Sequence, residues 1–150
     1  MIAIIDYGMG NLGSIFNMLK KVGTLAVVSS DPAVIIKADK LVLSGMGAFD
    51  SAMKNLVERG LIPVLNEMVL TKNVPILGVC LGMQLFTRRS EEGTLPGLGW
   101  LDAETTSFRF DSISGCLKVP HMGWNTLRVC YPHPIFRDLD VAPRFYFAHS

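Results

Sequence analysis

The sequence contains no apolar run near the roughly 18 residues that a membrane-spanning helix needs, so insertion into a bilayer is not expected. Charge is scarce and balanced: 14 basic and 13 acidic side chains leave a net charge of +1, spread along 150 residues. This excludes the basic stripe that neutralises nucleic-acid phosphates or an anionic lipid surface. Three cysteines cannot all pair within one chain. Met1 also runs straight into "IAIID" without a basic leader or cleavage site, so secretion is not indicated. A reducing cytoplasm with three free thiols is the expectation.

Against those absences stands a hydrophobic content of 49%, enough for one domain with a real core. In the first half, two periods alternate. "MIAIID", "TLAVVS", "KLVLS" and "VPILGV" have strand length and near-continuous apolar character. Between them lie helical patterns: Ile15, Met18, Leu19 and Val22 before a stop at Gly23, "DSAMKNLVERG" ending at Gly60, "LIPVLNEMVLTKN", and "CLGMQLFTRR". Asp31-Pro32 reads as an N-cap followed by proline at the first helical position. Alternation of this kind implies an α/β fold, a mostly parallel sheet flanked by helices, with its functional loops at the carboxyl ends of the strands. After about residue 93 the chain becomes β-prone and glycine-punctuated, and antiparallel strands are expected there.

Gly78-Val79-Cys80-Leu81-Gly82 has the form of a nucleophile elbow, with cysteine in the central place and a strand handing over to a helix. A turn of that kind needs small flanking residues. It would place Cys80 at a helix N-terminus, whose dipole favours thiolate, and aim the Leu81 N–H at a developing oxyanion. A buried structural cysteine is the competing reading. Ser44-Gly45-Met46-Gly47 follows the third strand and could lie beside the elbow as the other half of an oxyanion hole. Gly8, Gly10 and Gly13 match G-x-G-x-x-G, which allows a dinucleotide site with Asp31 as its acidic residue, although Asp31 is better explained as a cap. Cys116, His121, Cys130 and His133 lack the close cysteine pair of a zinc finger or ribbon, so no metal is expected. Cys116 and Cys130 are read as packed strand residues, and His133, between two prolines, as a surface residue. No histidine has an acidic partner at a telling spacing, so these residues leave a catalytic triad incomplete.

Taken together, "GVCLGMQL", "SEEG" and "PHMGWN", with "IIDYGMGNLGSI" at the start and "YFAHS" at the end, resemble the class I glutamine amidotransferases. Within them the likeness is to the glutaminase subunits of imidazole glycerol phosphate synthase and their paralogues. The resemblance implies a flavodoxin-like amidotransferase domain over 1–150 that requires no cofactor. It further implies hydrolysis of L-glutamine, with ammonia passed to a (β/α)₈-barrel synthase subunit in a heterodimer, in histidine biosynthesis or in making a surface-polysaccharide sugar. A chain that only docks on the synthase without chemistry is the other reading.

By that resemblance Cys80 is the nucleophile, and Leu81 and Gly47 supply the oxyanion hole. Gly45, Met46, Gln84, Glu92, His149 and Ser150 bind the substrate, Glu92 taking the α-ammonium and the last two the α-carboxylate. Asn11, His121, Met122 and Trp124 face the synthase, which reassigns the glycine fingerprint to a partner-facing turn. Three departures stand out, the first being "LPGLGWLDAETTSF", which looks more like the paralogues from surface-sugar pathways than like the histidine-pathway form. Ser44 occupies the place where the family usually has proline, and the family's catalytic histidine and glutamate lie on a C-terminal segment that these 150 residues lack.

Overall fold

Four short apolar segments pair side by side as parallel strands: β1 (Ile2–Ile5), β2 (Ala26–Ser29), β3 (Lys40–Gly45) and β4 (Ile76–Cys80). Their order in the sheet is β2-β1-β3-β4. The computed structural model describes residues 1–110, 119–139 and 142–150, which fall into two units, Met1–Thr106 and Ser107–Ser150.

In the first unit the connections are helical. Helix α1 (Leu12–Lys21) starts at Asn11, whose side-chain oxygen accepts from the Ser14 N–H at 3.1 Å. It stops at Gly23, where φ is +76°. The one-turn helix α2 (Pro32–Ile35) begins as the sequence predicts: the Asp31 carboxylate caps the Ala33 N–H at 2.8 Å and Pro32 follows. Helix α3 (Phe49–Glu58) ends before Gly60, and α4 (Leu61–Asn66) runs on into a π-helical turn at Glu67–Thr71. Leu41, Leu43, Ile5, Phe49, Leu56, Leu61, Leu65 and Leu85 are fully buried between sheet and helices. Each contributes about 1.5–3 kcal/mol of burial.

Two expectations are corrected in this unit. Helix α5 spans only Leu81–Gln84, not the whole of "CLGMQLFTRR". The reason is non-local: the carbonyls of Leu85, Phe86, Thr87 and Arg88 accept from the N–H groups of Leu98, Leu101, Gly99 and Gly97, and the Arg88 N–H donates to the Ala103 carbonyl. With those acceptors taken, the helix cannot continue. Arg89–Ser90 instead forms β5, which pairs with β6 (Glu104–Thr105) in a parallel sense, so the first strands beyond the main sheet are not antiparallel.

The second unit carries the antiparallel pair expected in the C-terminal third. Strand β7 (His121–Thr126) pairs with β8 (Arg144–His149), bringing His121 opposite His149 and Trp124 opposite Tyr146. A short 3₁₀ turn at Pro134–Phe136 is capped by His133, whose Nδ1 accepts from the Ile135 N–H at 3.3 Å. Cys130 is exposed and lies outside any strand, which corrects the reading of it as a packed strand residue. Cys116 lies outside the described residues.

Among the described residues no helix is long and apolar enough to cross a membrane.

Candidate active site

Three loops meet the requirement for a site at the carboxyl end of a parallel sheet. They follow β1, β3 and β4, which are neighbours in the sheet. The switch in winding direction falls between β1 and β3, because the chain moves from β1 outward to β2 and then returns to the other side. Gly10, with φ at +91°, brings the first loop against the second: a Cβ there would stand 3.1 Å from the Gly45 Cα and the Ser44 carbonyl oxygen.

Register fixes the second and third loops together. In the β3–β4 pairing Gly45 lies opposite Cys80 and Ser44 opposite Val79. The Gly45–Met46–Gly47 turn therefore begins beside the cysteine, as the sequence reading expects of an oxyanion turn. Gly47 turns with φ at +113°.

Cys80 has φ 54° and ψ −120°, a region that non-glycine residues seldom enter and that costs about 1–3 kcal/mol. It is held there by contacts that leave no room for side chains on either flank. A Cβ at Gly78 would lie 2.6 Å from the Met83 Cα, and one at Gly82 would collide with the Leu43 carbonyl. The thiol is nevertheless exposed. A buried structural cysteine is thereby excluded, and the elbow reading of the pentapeptide holds in geometry. Leu81 is the first residue of α5 and buried, so its backbone N–H is among those with no partner in the preceding turn. The dipole argument weakens, since a four-residue helix has little macrodipole to offer.

Around the elbow lie three buried side-chain oxygens that have no hydrogen-bond partner among the described residues: Tyr7 Oη, Ser44 Oγ and Gln84 Oε1. Their elements are the ends of β1 and β3 and helix α5. Tyr7 was not singled out by sequence reasoning. Its hydroxyl presses on the face of Gly45, where a Cβ would collide with it. Burial foremost, and then the neighbouring Cys80, pushes its phenol up to about 12. Tyr7 thus stays neutral at any working pH.

Gln84, proposed for substrate binding, is half-buried on α5, four residues from Cys80. Glu92 is exposed, and its N–H is held by Ser90 Oγ at 3.2 Å. The remaining proposed residues divide between elements. Asn11 is committed to capping α1 through its side-chain oxygen. Met122 and Trp124 point to one face of the β7–β8 ribbon, where both are exposed, and Trp124 meets Tyr146 edge-on at 5.8 Å. Strand alternation sends His121 to the other face. There its Nδ1 lies 3.1 Å from His149 Nε2, with Phe147 and Phe108 around the pair. The ribbon therefore separates His121 from the other two residues proposed to face a partner. Ser150 follows β8 directly and is exposed. The Asp31 carboxylate is occupied by its helix cap, which removes the acidic residue a dinucleotide site would need.

The family described as glutamine amidotransferase class-I matches over residues 3–150. The chain belongs to the class I glutamine amidotransferases. A relative named imidazole glycerol phosphate synthase subunit HisH 2, from Methanococcus maripaludis, is 51% identical over 150 residues, covering all of this chain and 73% of that protein. One of the same name from Pseudomonas aeruginosa is 49% identical over 151 aligned positions, with the same coverage. A solved structure described as a glutamine amidotransferase superposes with a TM-score of 0.69 at 15% identity, over 99% of this chain and 69% of the other. At that identity the superposition speaks for the amidotransferase fold.

Proposed function

We propose that this amidotransferase is the glutaminase subunit of an imidazole glycerol phosphate synthase, working in the cytoplasm and delivering ammonia to a (β/α)₈-barrel partner subunit. The observation that carries the reading is the exposed Cys80 at φ 54°, in register with the Gly45–Gly47 turn. The names of the relatives supply the pathway and the partner.

On this reading the Cys80 thiolate attacks the side-chain amide carbon of glutamine and forms a C–S bond. The carbonyl oxygen becomes an oxyanion facing the N–H of Leu81 and the turn at Gly47. Collapse breaks the C–N bond, and the nitrogen leaves as ammonia with a proton from a general acid. Water then adds to the thioester, the C–S bond breaks, and glutamate departs as the thiol is restored. Glu92 takes the substrate α-ammonium; Gly45, Met46 and Gln84 line its side chain; His149 and Ser150 take the α-carboxylate. Asn11, His121, Met122 and Trp124 are assigned to the partner-facing surface.

Residues 1–106 contain no histidine. By the family pattern the base is a histidine oriented by a glutamate; we assign neither role to a residue among these 150, and we take both units to belong to one amidotransferase domain. The test is glutamine hydrolysis by the protein together with its barrel subunit, before and after Cys80→Ala. Loss of glutamate release, with the circular dichroism spectrum preserved, is expected. Retained hydrolysis in the variant would remove Cys80 from the mechanism.

A further inference from the structure

The loop that carries Glu92 has an anchor outside the elbow. Asp50, in the first turn of α3, reaches across 44 residues of sequence to Thr94 and 45 to Leu95. Its Oδ1 accepts from the Thr94 N–H at 2.9 Å and the Leu95 N–H at 3.0 Å. Its Oδ2 accepts from the Thr94 hydroxyl at 2.8 Å and lies 3.1 Å from the Thr94 nitrogen. Both carboxylate oxygens are thus used on one loop. The Leu95 N–H foremost, followed by the Thr94 hydroxyl, holds the Asp50 carboxyl below its ordinary range. Gly93 lets the loop come this close: a Cβ there would collide with Asp50 Oδ1 and stand 2.8 Å from Phe49 Cδ1.

Glu92 is therefore gripped on both sides. Before it, the buried Ser90 takes its N–H. After it, Gly93–Leu95 is fastened to α3. Helix α3 itself starts at Phe49, two residues beyond Gly47, so Asp50 ties the Glu92 loop to the same short segment that forms the glycine turn beside Cys80. A displacement of either would be transmitted to the other through one side chain.

We propose that Asp50 is a positioning residue for glutamine capture, fixing the distance between the Glu92 carboxylate and the Cys80 elbow through its four contacts to Thr94 and Leu95. This rests on the reading of Glu92 as the α-ammonium site. Asp50 touches no reacting atom, so its removal should weaken substrate binding and leave the intrinsic reactivity of the thiol alone.

Two electrophiles distinguish these effects. Iodoacetamide carries no amino-acid group and reports the Cys80 thiol; 6-diazo-5-oxo-L-norleucine has the shape of glutamine and reports capture as well. Labelling is followed at the Cys80 peptide by mass spectrometry in the wild-type chain, Asp50→Ala and Asp50→Asn. The alanine variant should raise the half-saturating concentration of the glutamine-shaped probe by about tenfold, a loss of about 1.4 kcal/mol. The asparagine variant, which keeps one acceptor oxygen, should fall between it and wild type. Iodoacetamide should label all three alike, and amide exchange at Thr94 and Leu95 should quicken in the variants. Unchanged capture, or equal slowing of both probes, overturns the positioning role. A wild-type chain that shows no saturation with the glutamine-shaped probe overturns the glutaminase reading and the role of Asp50 with it.

Discussion

Cys80 and Cys130 are both exposed thiols, and they sit in opposite kinds of backbone. Cys80 ends β4, the outer strand beside β3, between two glycines whose places no side chain could fill. Cys130 lies in an irregular stretch after β7, where its Sγ stands 3.7 Å from the Arg128 carbonyl. The difference extends to their units. Every buried residue among those described lies between Ala3 and Ser90. In the second unit the β7–β8 ribbon leaves the large side chains of Met122, Trp124 and Tyr146 open on one face. Strain at a reactive residue persists only where the surroundings over-determine it. The first unit provides that packing around Cys80; the ribbon offers surface instead.

The contrast can be broken from several directions. The largest effect expected is on chemistry: Cys80→Ala should lower glutamine hydrolysis about 10⁴-fold or more, while Cys130→Ala leaves it within about twofold. Next comes packing. Gly82→Ala drives a methyl into the Leu43 carbonyl and should destabilise the first unit by about 3 kcal/mol in urea unfolding, since overpacked cores have little room to give. Cys80→Gly should do the reverse, stabilising by about 1–2 kcal/mol because glycine adopts the strained φ freely while activity disappears. A stability gain of that sign with loss of function would mark the elbow as a strained site.

Tyr7→Phe sharpens the picture further. Removing a buried hydroxyl that has no partner among the described residues should stabilise by about 1 kcal/mol at neutral pH. The folded-state value of Tyr7 is raised from 10.0 to about 12, so folding favours its protonated form. Its contribution is fully present below pH 10.0 and is lost as pH rises towards about 12. Thermal unfolding across that window should be less pH-dependent in Tyr7→Phe than in wild type. The smallest effect is at the helix cap: Asn11→Ala should cost about 1 kcal/mol through the lost Ser14 contact. A larger loss of binding to the barrel subunit than of stability would give Asn11 a second role at the interface.

Much of the first unit is legible in sequence because its signals are local. Apolar runs of strand length, the Asp31-Pro32 cap and the stops at Gly23 and Gly60 each act within a few residues. The elbow was legible for the same reason, since glycines at 78 and 82 bracket Cys80. What escaped was set by distant partners. Helix α5 is cut short because residues 97–101 take its next carbonyls. The Asp50 anchor joins positions 44 and 45 residues apart and leaves no pattern in either segment. Tyr7 looked like part of a glycine-rich turn, and only the β1–β3 pairing sets it under Gly45. Cys130 misled because an apolar, β-prone neighbourhood resembles a packed strand even where the chain lies at the surface.

The central claim is that the elbow, and not exposure alone, makes Cys80 a nucleophile. Competitive labelling of the wild-type protein with limiting 6-diazo-5-oxo-L-norleucine, read at the two cysteine peptides, tests it within one molecule. The account predicts that Cys80 is modified about 100-fold faster than Cys130 or more, as an activated thiol with a built substrate site should be. Slow and equal modification of both would contradict it.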